Sequence, residues 1–385
     1  MRERDLTVLL ATDGIPPYVM GGMQKHSRFV AEYLAMNEVN VICYHYVQGQ
    51  NVTNEEVALM FSPKARERIK IRTFSYPKED AFPGHYLRAQ KKVSALYLEA
   101  FQNEKGVDFI FCKGFMAWAF VTSSSKGKVP VGVKFHGMNM FQKQPNFKGE
   151  LVKFLMRPPV RRLMNMSDFV FSYGGKISDI IREEIREGDK LIEIQSGIED
   201  SWIKEEPNKF HAPLKFILVG RHDRLKGLPE LYKAISQLPD STSGSWELTI
   251  VGPIPRKHQY DHPHIMYAGP ISNEDDLMRL YDRCDVLLCP SISEGMPNVI
   301  LEAMARGLAV LSTDVGASGL LVNEKNGWLV PPGNSTELCN GLLEVLALTP
   351  DQLYTKKCAS IQIINGHFRW ELIGKRLKKE ILLRV

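Results

Sequence analysis

Short, unbroken apolar runs recur along this chain, each followed by a loop and then by an apolar stripe at helical spacing. Residues 6–11 (LTVLLA) form the first run, and the glycine-bearing loop TDGIPPYVMGG separates it from a helical pattern over 23–36. A strand apolar on both faces belongs in a parallel sheet covered by helices on either side. Further strands are expected at 39–47, 107–112, 131–135, 168–172 and 191–195, with a helix near 87–103. Strands alternating with helices define an α/β domain. Residues 200–213 (DSWIKEEPNKFHAP) are polar and broken by two prolines, so they read as a linker. LKFILVG (214–220) then opens a second series, with strands at 246–251, 264–268, 286–289 and 308–312. The tail, 368–383, is helical in pattern and basic. The expected architecture is two Rossmann-like domains facing each other, 1–199 and 214–365, with 366–385 forming a terminal helix. Ligands of open α/β sheets bind beyond the carboxyl ends of the strands, which makes the cleft between the domains the expected site.

Bulk properties narrow the picture modestly. A chain of 385 residues suits two domains better than one. With 44% apolar and 24% charged residues it is an ordinary soluble composition. The net charge of +5 is spread among mixed signs and is too mild to argue for a nucleic-acid partner. The cysteines at 43, 112, 284, 289, 339 and 358 show neither CxxC nor metal-ligand spacing, and read as buried or free thiols of a reducing compartment. MRERDLTVLLATDG reads as a first strand rather than a signal peptide. No stretch approaches the roughly 20 apolar residues of a membrane-spanning helix. The expected location is the cytoplasm, with attachment to a membrane surface left open.

The stretch SISEGMPNVILEAMARG (291–307) carries the densest chemistry. Gly295 reads as loop, Pro297 as the first helical residue and Gly307 as the position just past the helix end. The amides of Asn298, Val299 and Ile300 would then face an anion at the positive end of the helix dipole. Glu294 would stand at the mouth, and Glu302 about 7.5 Å along the axis beyond Pro297. Ile300, Ala303 and Met304 form an apolar face that belongs in a core, but a core helix does not account for the two glutamates.

Four other places carry candidate chemistry. Gly21 and Gly22 close the first strand–helix loop, where they serve a ligand approaching the backbone or simply a turn; the pattern is not GxGxxG, so a dinucleotide fingerprint is unsupported. GRHDRLKG (220–227) follows a strand, and Arg221 and Lys226 suit a diphosphate, although a solvated charged loop reads the same way. KFHGMN (134–139) puts His136 at a strand end, where a structural histidine is the plainer reading. KQPNFKGELVKFLMRPPVRRLM (143–164) places Phe147, Leu151, Phe154 and Leu155 on one helical face among basic residues, a pattern shared by anionic-lipid binders and ordinary surface helices. Arg88, Lys91 and Lys92 could extend its basic patch. No Asp-x-Asp or His/carboxylate cluster has metal spacing, so no metal is expected.

Together these features resemble the retaining glycosyltransferases of family 4, which have the GT-B fold. The likeness covers essentially the whole chain in order and is strongest over 214–333; SEGMPNVILEAMARGLAVLSTDVG (293–316) resembles the family's two-glutamate motif. The resemblance implies that a nucleotide-sugar donor binds with its diphosphate on Arg221 and Lys226, its ribose on Glu302 and its sugar against Glu294 and the backbone of Gly295, Met296 and Pro297. The amides of Asn298, Val299 and Ile300 would cap the phosphates, and the backbone at Ile271 would read the base. Gly21, Gly22 and His136 would face the reacting centre from the other domain. Ser196 in SGIE (196–199) departs from the asparagine usual in that family. The implied reaction is sugar transfer to a hydroxyl of a glycan or lipid-linked acceptor, from a UDP- or GDP-sugar, without a cofactor. Other outcomes on the same fold are a nucleotide-sugar epimerase or hydrolase, or a non-catalytic binding subunit. A sugar phosphorylase would need a pyridoxal phosphate lysine, for which there is no convincing candidate, and a nicotinamide oxidoreductase lacks its glycine fingerprint.

Overall fold

The computed structural model describes residues 5–49, 51–77, 82, 84–123, 129–142 and 147–385. Two all-parallel sheets carry the chain. The first contains β1 (Thr7–Ala11), β2 (Asn40–Val47), β3 (Ile69–Ser75), β4 (Phe109–Lys113), β5 (Val131–Lys134), β6 (Phe169–Ser172) and β7 (Leu191–Glu193), in the order β3-β2-β1-β4-β5-β6-β7. The second contains β8 (Leu214–Val219), β9 (Trp246–Val251), β10 (Ile265–Gly269), β11 (Val286–Cys289), β12 (Ala309–Thr313) and β13 (Gly327–Val330), in the order β10-β9-β8-β11-β12-β13. The continuous apolar runs have the expected cause. Val8 and Leu10 join a core on one face of the first sheet, while Leu9 and Ala11 join a separate core on the other. In the second sheet Leu218 and Leu288 face one way, and Ile217 and Leu287 the other.

Two edge strands were not expected. β3 alternates buried and exposed residues through IKIR, so it lacks the unbroken run that marks the central strands. β13 has four residues and begins at Gly327, whose close pairing with Val310 leaves no room for a side chain.

The C-terminal helix, Trp370–Leu382, crosses back onto the first domain and packs on the helix Gly22–Met36. Trp370 stacks on Tyr33 with ring centres 5.9 Å apart, and the Lys378 ammonium donates to the Asn37 carbonyl at 2.7 Å. Backbone bonds from Ile198 to Phe368 (2.7 Å) and from Trp370 to Ile198 (3.0 Å) tie this crossover to the start of the linker.

Each strand order reverses once. The reversal falls between β1 and β4 in the first sheet and between β8 and β11 in the second. At such a point the loops leave in opposite directions and open a crevice. The loop after β1 carries Gly21 and Gly22, that after β8 carries Arg221 and Lys226, and that after β11 carries Glu294.

Candidate active site

The loop after β11 is anchored before it reaches the cleft. Thr313 donates to the Ser291 carbonyl at 2.5 Å, and the Ile292 amide donates to the Leu225 carbonyl at 2.7 Å, so the loops after β8 and β11 are tied together. The helix that follows spans Asn298–Ala305. Pro297 is therefore not its first residue, as expected from the sequence, but its N-cap. Its ψ of 112° is extended, and its carbonyl accepts the Ile300 amide at 3.1 Å. That engages the Ile300 amide and leaves Asn298 and Val299 as the leading helical amides. At the other end Gly307 is left-handed at φ 74°. The Leu308 amide returns to Ala303 and the Gly307 amide to Met304, both at 3.0 Å, a glycine stop of the Schellman type.

Lys226 and Glu294 meet at this helix start. The ammonium lies 2.6 Å from Glu294 Oε1, which also accepts from the Ser291 hydroxyl at 2.8 Å. Burial alone would lower the Lys226 pKa, but the Glu294 carboxylate beside it outweighs that effect and raises it. Arg221 stands at the mouth with its side chain 77% exposed, 3.3 Å from Asp223. Glu302 accepts from the Tyr281 hydroxyl at 3.2 Å. Burial raises its carboxyl pKa, and the nearby Lys25 charge opposes that shift.

The first domain supplies the facing wall. A Cβ added at Gly295 would run into the His136 carbonyl oxygen, so this glycine permits main chain to touch main chain across the cleft. Gly316 is packed just as closely on the Glu294 and Gly295 carbonyls. Ser293 donates to Asn139 Oδ1 at 2.9 Å, Gln142 to the Glu294 carbonyl at 3.0 Å, and the Lys176 amide to the Gly316 carbonyl at 3.1 Å. The resulting cleft of about 330 Å³ is lined by Gly22, His136, Arg221, Lys226 and Glu294 through Val299 among the residues singled out in the sequence. Gly21, Ile271, Ile300 and Glu302 do not line it. The Ile300 side chain is fully buried in the core, and Ile271 packs on that same core. Met23, Gly137, Asn139, Tyr173 and Ser293 line the cleft without having been given a role, although Gly137, Asn139 and Ser293 fall within the stretches 134–139 and 291–307. Of these, Tyr173 has a positional signal, since it directly follows β6. A larger hollow of about 760 Å³ beside β13, lined by Trp328 and Glu337, carries none of the predicted residues. Among the described residues no three His, Cys, Asp or Glu side chains are grouped to hold a metal ion.

The basic amphipathic segment is divided by its prolines. Residues 143–146 lie outside the described residues, and the helix runs Phe147–Met166 with Pro158 and Pro159 inside it. After the prolines, Val160, Leu163 and Met164 are fully buried. Before them, Leu151, Val152, Phe154 and Leu155 are 52, 52, 72 and 63% exposed. The face that an ordinary surface helix would bury is uncovered. Lys91 and Arg162 both lie over the Trp118 ring, at 3.7 and 5.8 Å, so these two basic residues share one patch. No described helix is long and apolar enough to cross a membrane.

Two facing Rossmann-like domains with a returning terminal helix are the GT-B architecture, and solved structures agree. Sucrose-phosphate synthase from Thermosynechococcus elongatus superposes with a TM-score of 0.77 at 19% identity, covering 99% of each chain. Anabaena HepE in complex with UDP and glucose superposes at 0.69 with 15% identity, covering 98% of this chain and 100% of that one. Residues 213–347 match the family described as glycosyl transferases group 1. Among curated relatives, the amylovoran biosynthesis glycosyltransferase AmsK of Erwinia amylovora is 30% identical over 199 residues, 45% of this chain and 49% of that protein. The chain spans about half the length of the curated relatives it matches first. The chain thus has the GT-B fold, and its second domain matches glycosyl transferases group 1.

Proposed function

We propose that this protein moves a sugar from a UDP- or GDP-sugar to a hydroxyl of a glycan or lipid-linked acceptor, retaining the anomeric configuration, in cell-surface polysaccharide or glycolipid synthesis. The observation that carries this reading is the Lys226–Glu294 pair at the start of the Asn298–Ala305 helix, with Gly22 and His136 across the cleft. HepE, solved with UDP and glucose, and AmsK, by its biosynthetic name, support the donor class and the pathway type. Lys226 leaves Glu294 for the donor diphosphate, joined by Arg221 and the amides of Asn298 and Val299. Charge growing on the departing diphosphate then meets two cations and a helix dipole in place before reaction. Glu294, freed, turns to the sugar hydroxyls, Glu302 takes the ribose hydroxyls, and the backbone at Ile271 meets the base. The acceptor hydroxyl attacks from the face the diphosphate leaves: as the sugar–phosphate bond breaks and the new glycosidic bond forms, the hydroxyl proton passes to a departing phosphate oxygen, with the protein positioning both partners. Neither a resident metal nor a cofactor takes part.

A thermal-shift screen of nucleotide sugars tests the donor, because a ligand of the folded state raises the melting temperature. Transfer from the stabilising donor, followed by anomeric analysis of the product and repeated in EDTA, tests the reaction. Inversion, or loss of rate in EDTA, would refute those parts. Donor consumption without an acceptor would point to a hydrolase or epimerase, and binding without turnover to a non-catalytic subunit.

The exposed Leu151, Val152, Phe154 and Leu155, beside Lys153, Arg157 and Arg162, support a second element: attachment of the first domain to the cytoplasmic face of an anionic membrane. Flotation with phosphatidylglycerol vesicles at low salt is expected. Its absence there would refute attachment.

A further inference from the structure

Behind His136 lies a buried polar cluster that no motif in the sequence marks. Lys113 ends β4, beside the strand-order reversal, and pairs in register with Lys134 at the end of β5. Both lysines are essentially inaccessible, at 1% and 0% exposure. Lys113 Nζ is 2.7 Å from His26 Nδ1 and 3.1 Å from His136 Nε2. The Tyr173 hydroxyl is 2.6 Å from His136 Nδ1. Asp13, held by the Gln24 amide at 2.9 Å, supplies the opposite charge to Lys113. Lys134 donates to the Ile194 carbonyl at 2.6 Å and lies over the Tyr173 ring at 3.9 Å. Both ring nitrogens of His136 are thus engaged by protein, while its carbonyl touches Gly295.

We infer that Lys113 is a positioning residue of the cleft: as a buried ammonium it donates to His136 Nε2 and His26 Nδ1, which holds His136 neutral with its proton on Nδ1 and that proton on the Tyr173 hydroxyl. An ammonium has donors and no acceptor, so the nitrogen it meets must be unprotonated. A neutral imidazole then carries its hydrogen on the other nitrogen, and the ring orientation follows. The ring, fixed from behind and from the side, sets where the His136 main chain meets the donor loop. The charged and titratable groups facing His136 are Lys113 from β4, Lys134 from β5, His26 from the helix Gly22–Met36, Tyr173 after β6, and Asp13 through Lys113. Burial, then Lys113 and Lys134, hold the His136 pKa well below the ordinary value. Losing one cation therefore raises it.

The arrangement of protons stands independently of the reaction, whereas its effect on rate rests on the transferase reading. Long-range proton–nitrogen spectra of histidine-labelled protein read the tautomer directly, with the His136 signals identified by their loss in His136→Gln. Burial lowers the Lys113 pKa to about 7, so the ammonium is present below neutral pH, and there the wild-type His136 is expected as the neutral Nδ1–H form. In Lys113→Met, folded by its thermal melt, the His136 titration is expected to move up, with loss of the fixed tautomer. The acid limb of the transfer pH profile is expected to move up with it. An Nε2–H form in the wild type, or an unchanged His136 spectrum in folded Lys113→Met, overturns the inference. If Lys113→Met does not fold, the wild-type tautomer decides. If the wild type transfers no sugar, the proposed function fails while the spectra still judge Lys113.

Discussion

The two walls of the cleft are built on opposite plans. The wall from the second domain carries its charges on two adjacent loops that line the cleft, where Lys226 and Glu294 neutralise each other. The wall from the first domain holds its charges behind the surface. Lys113, Lys134, His26 and Asp13 are buried, and only His136 and Tyr173 of that cluster line the cleft. The first plan suits a polyanion that must be bound and released. The second suits a rigid backing, because desolvated groups bonded on several sides have little freedom to move.

Four measurements bear on this contrast, ordered by expected effect. Lys226→Ala removes a cation from the developing charge and strands Glu294, so transfer is expected to fall by about 10²–10³ with the melting temperature little changed. Near-wild-type turnover would remove the second wall from the chemistry. Next is acid sensitivity of the first domain. His45 is fully buried in β2, its Nε2 2.9 Å from the Thr73 hydroxyl, and burial lowers its pKa to about 4. A histidine with a depressed folded value binds its proton only after unfolding, so stability is lost as pH falls from 6.5 toward 4. Between pH 6.5 and 5 that loss is about 2 kcal/mol. Urea unfolding of His45→Gln should show a correspondingly shallower pH dependence than the wild type; identical slopes would contradict it. His26 and His136 have depressed values of the same sign, so acid should open the first domain before the second. Glu302→Gln comes third: the Michaelis constant for the donor should rise roughly tenfold, the scale of one hydrogen bond to a charged group, while kcat changes little. A fall in kcat alone would move Glu302 from ribose binding to chemistry. The smallest effect is expected from Phe154→Ser, which should weaken vesicle flotation severalfold while transfer to a short soluble acceptor is unchanged.

The second wall could be read from the sequence because its parts are consecutive. Arg221 and Lys226 are five positions apart, Glu294 and Glu302 eight, and Gly307 announces the helix stop. The reading missed by one residue at Pro297, since a proline with extended ψ caps a helix as readily as it starts one, and that residue decides whether the Ile300 amide is free. The first wall could not be read in this way. Asp13, His26, Lys113, His136 and Tyr173 come from five separate stretches, each with an ordinary local meaning. A lysine ending an apolar strand reads as a charge leaving the sheet, not as one entering the interior. The helix Phe147–Met166 lies between these cases. Its amphipathic face was legible, but whether that face was covered was not, because covering depends on elements remote in sequence.

The amino-acid order alone thus determined what is periodic or local: the alternation of apolar strands and amphipathic helices, the linker at 200–213, and the run from Ser291 to Gly307 with its two carboxylates. These follow from backbone geometry and neighbour spacing, which act over a few residues. Tertiary structure alone decided which strands lie beside the reversal points, that Lys226 closes on Glu294, that Gly295 meets the His136 carbonyl, and that two lysines end their strands inside the protein. The physical reason is that desolvation and hydrogen-bond partnership depend on every atom packed around a group, and those atoms come from parts of the chain that the order of residues does not bring together.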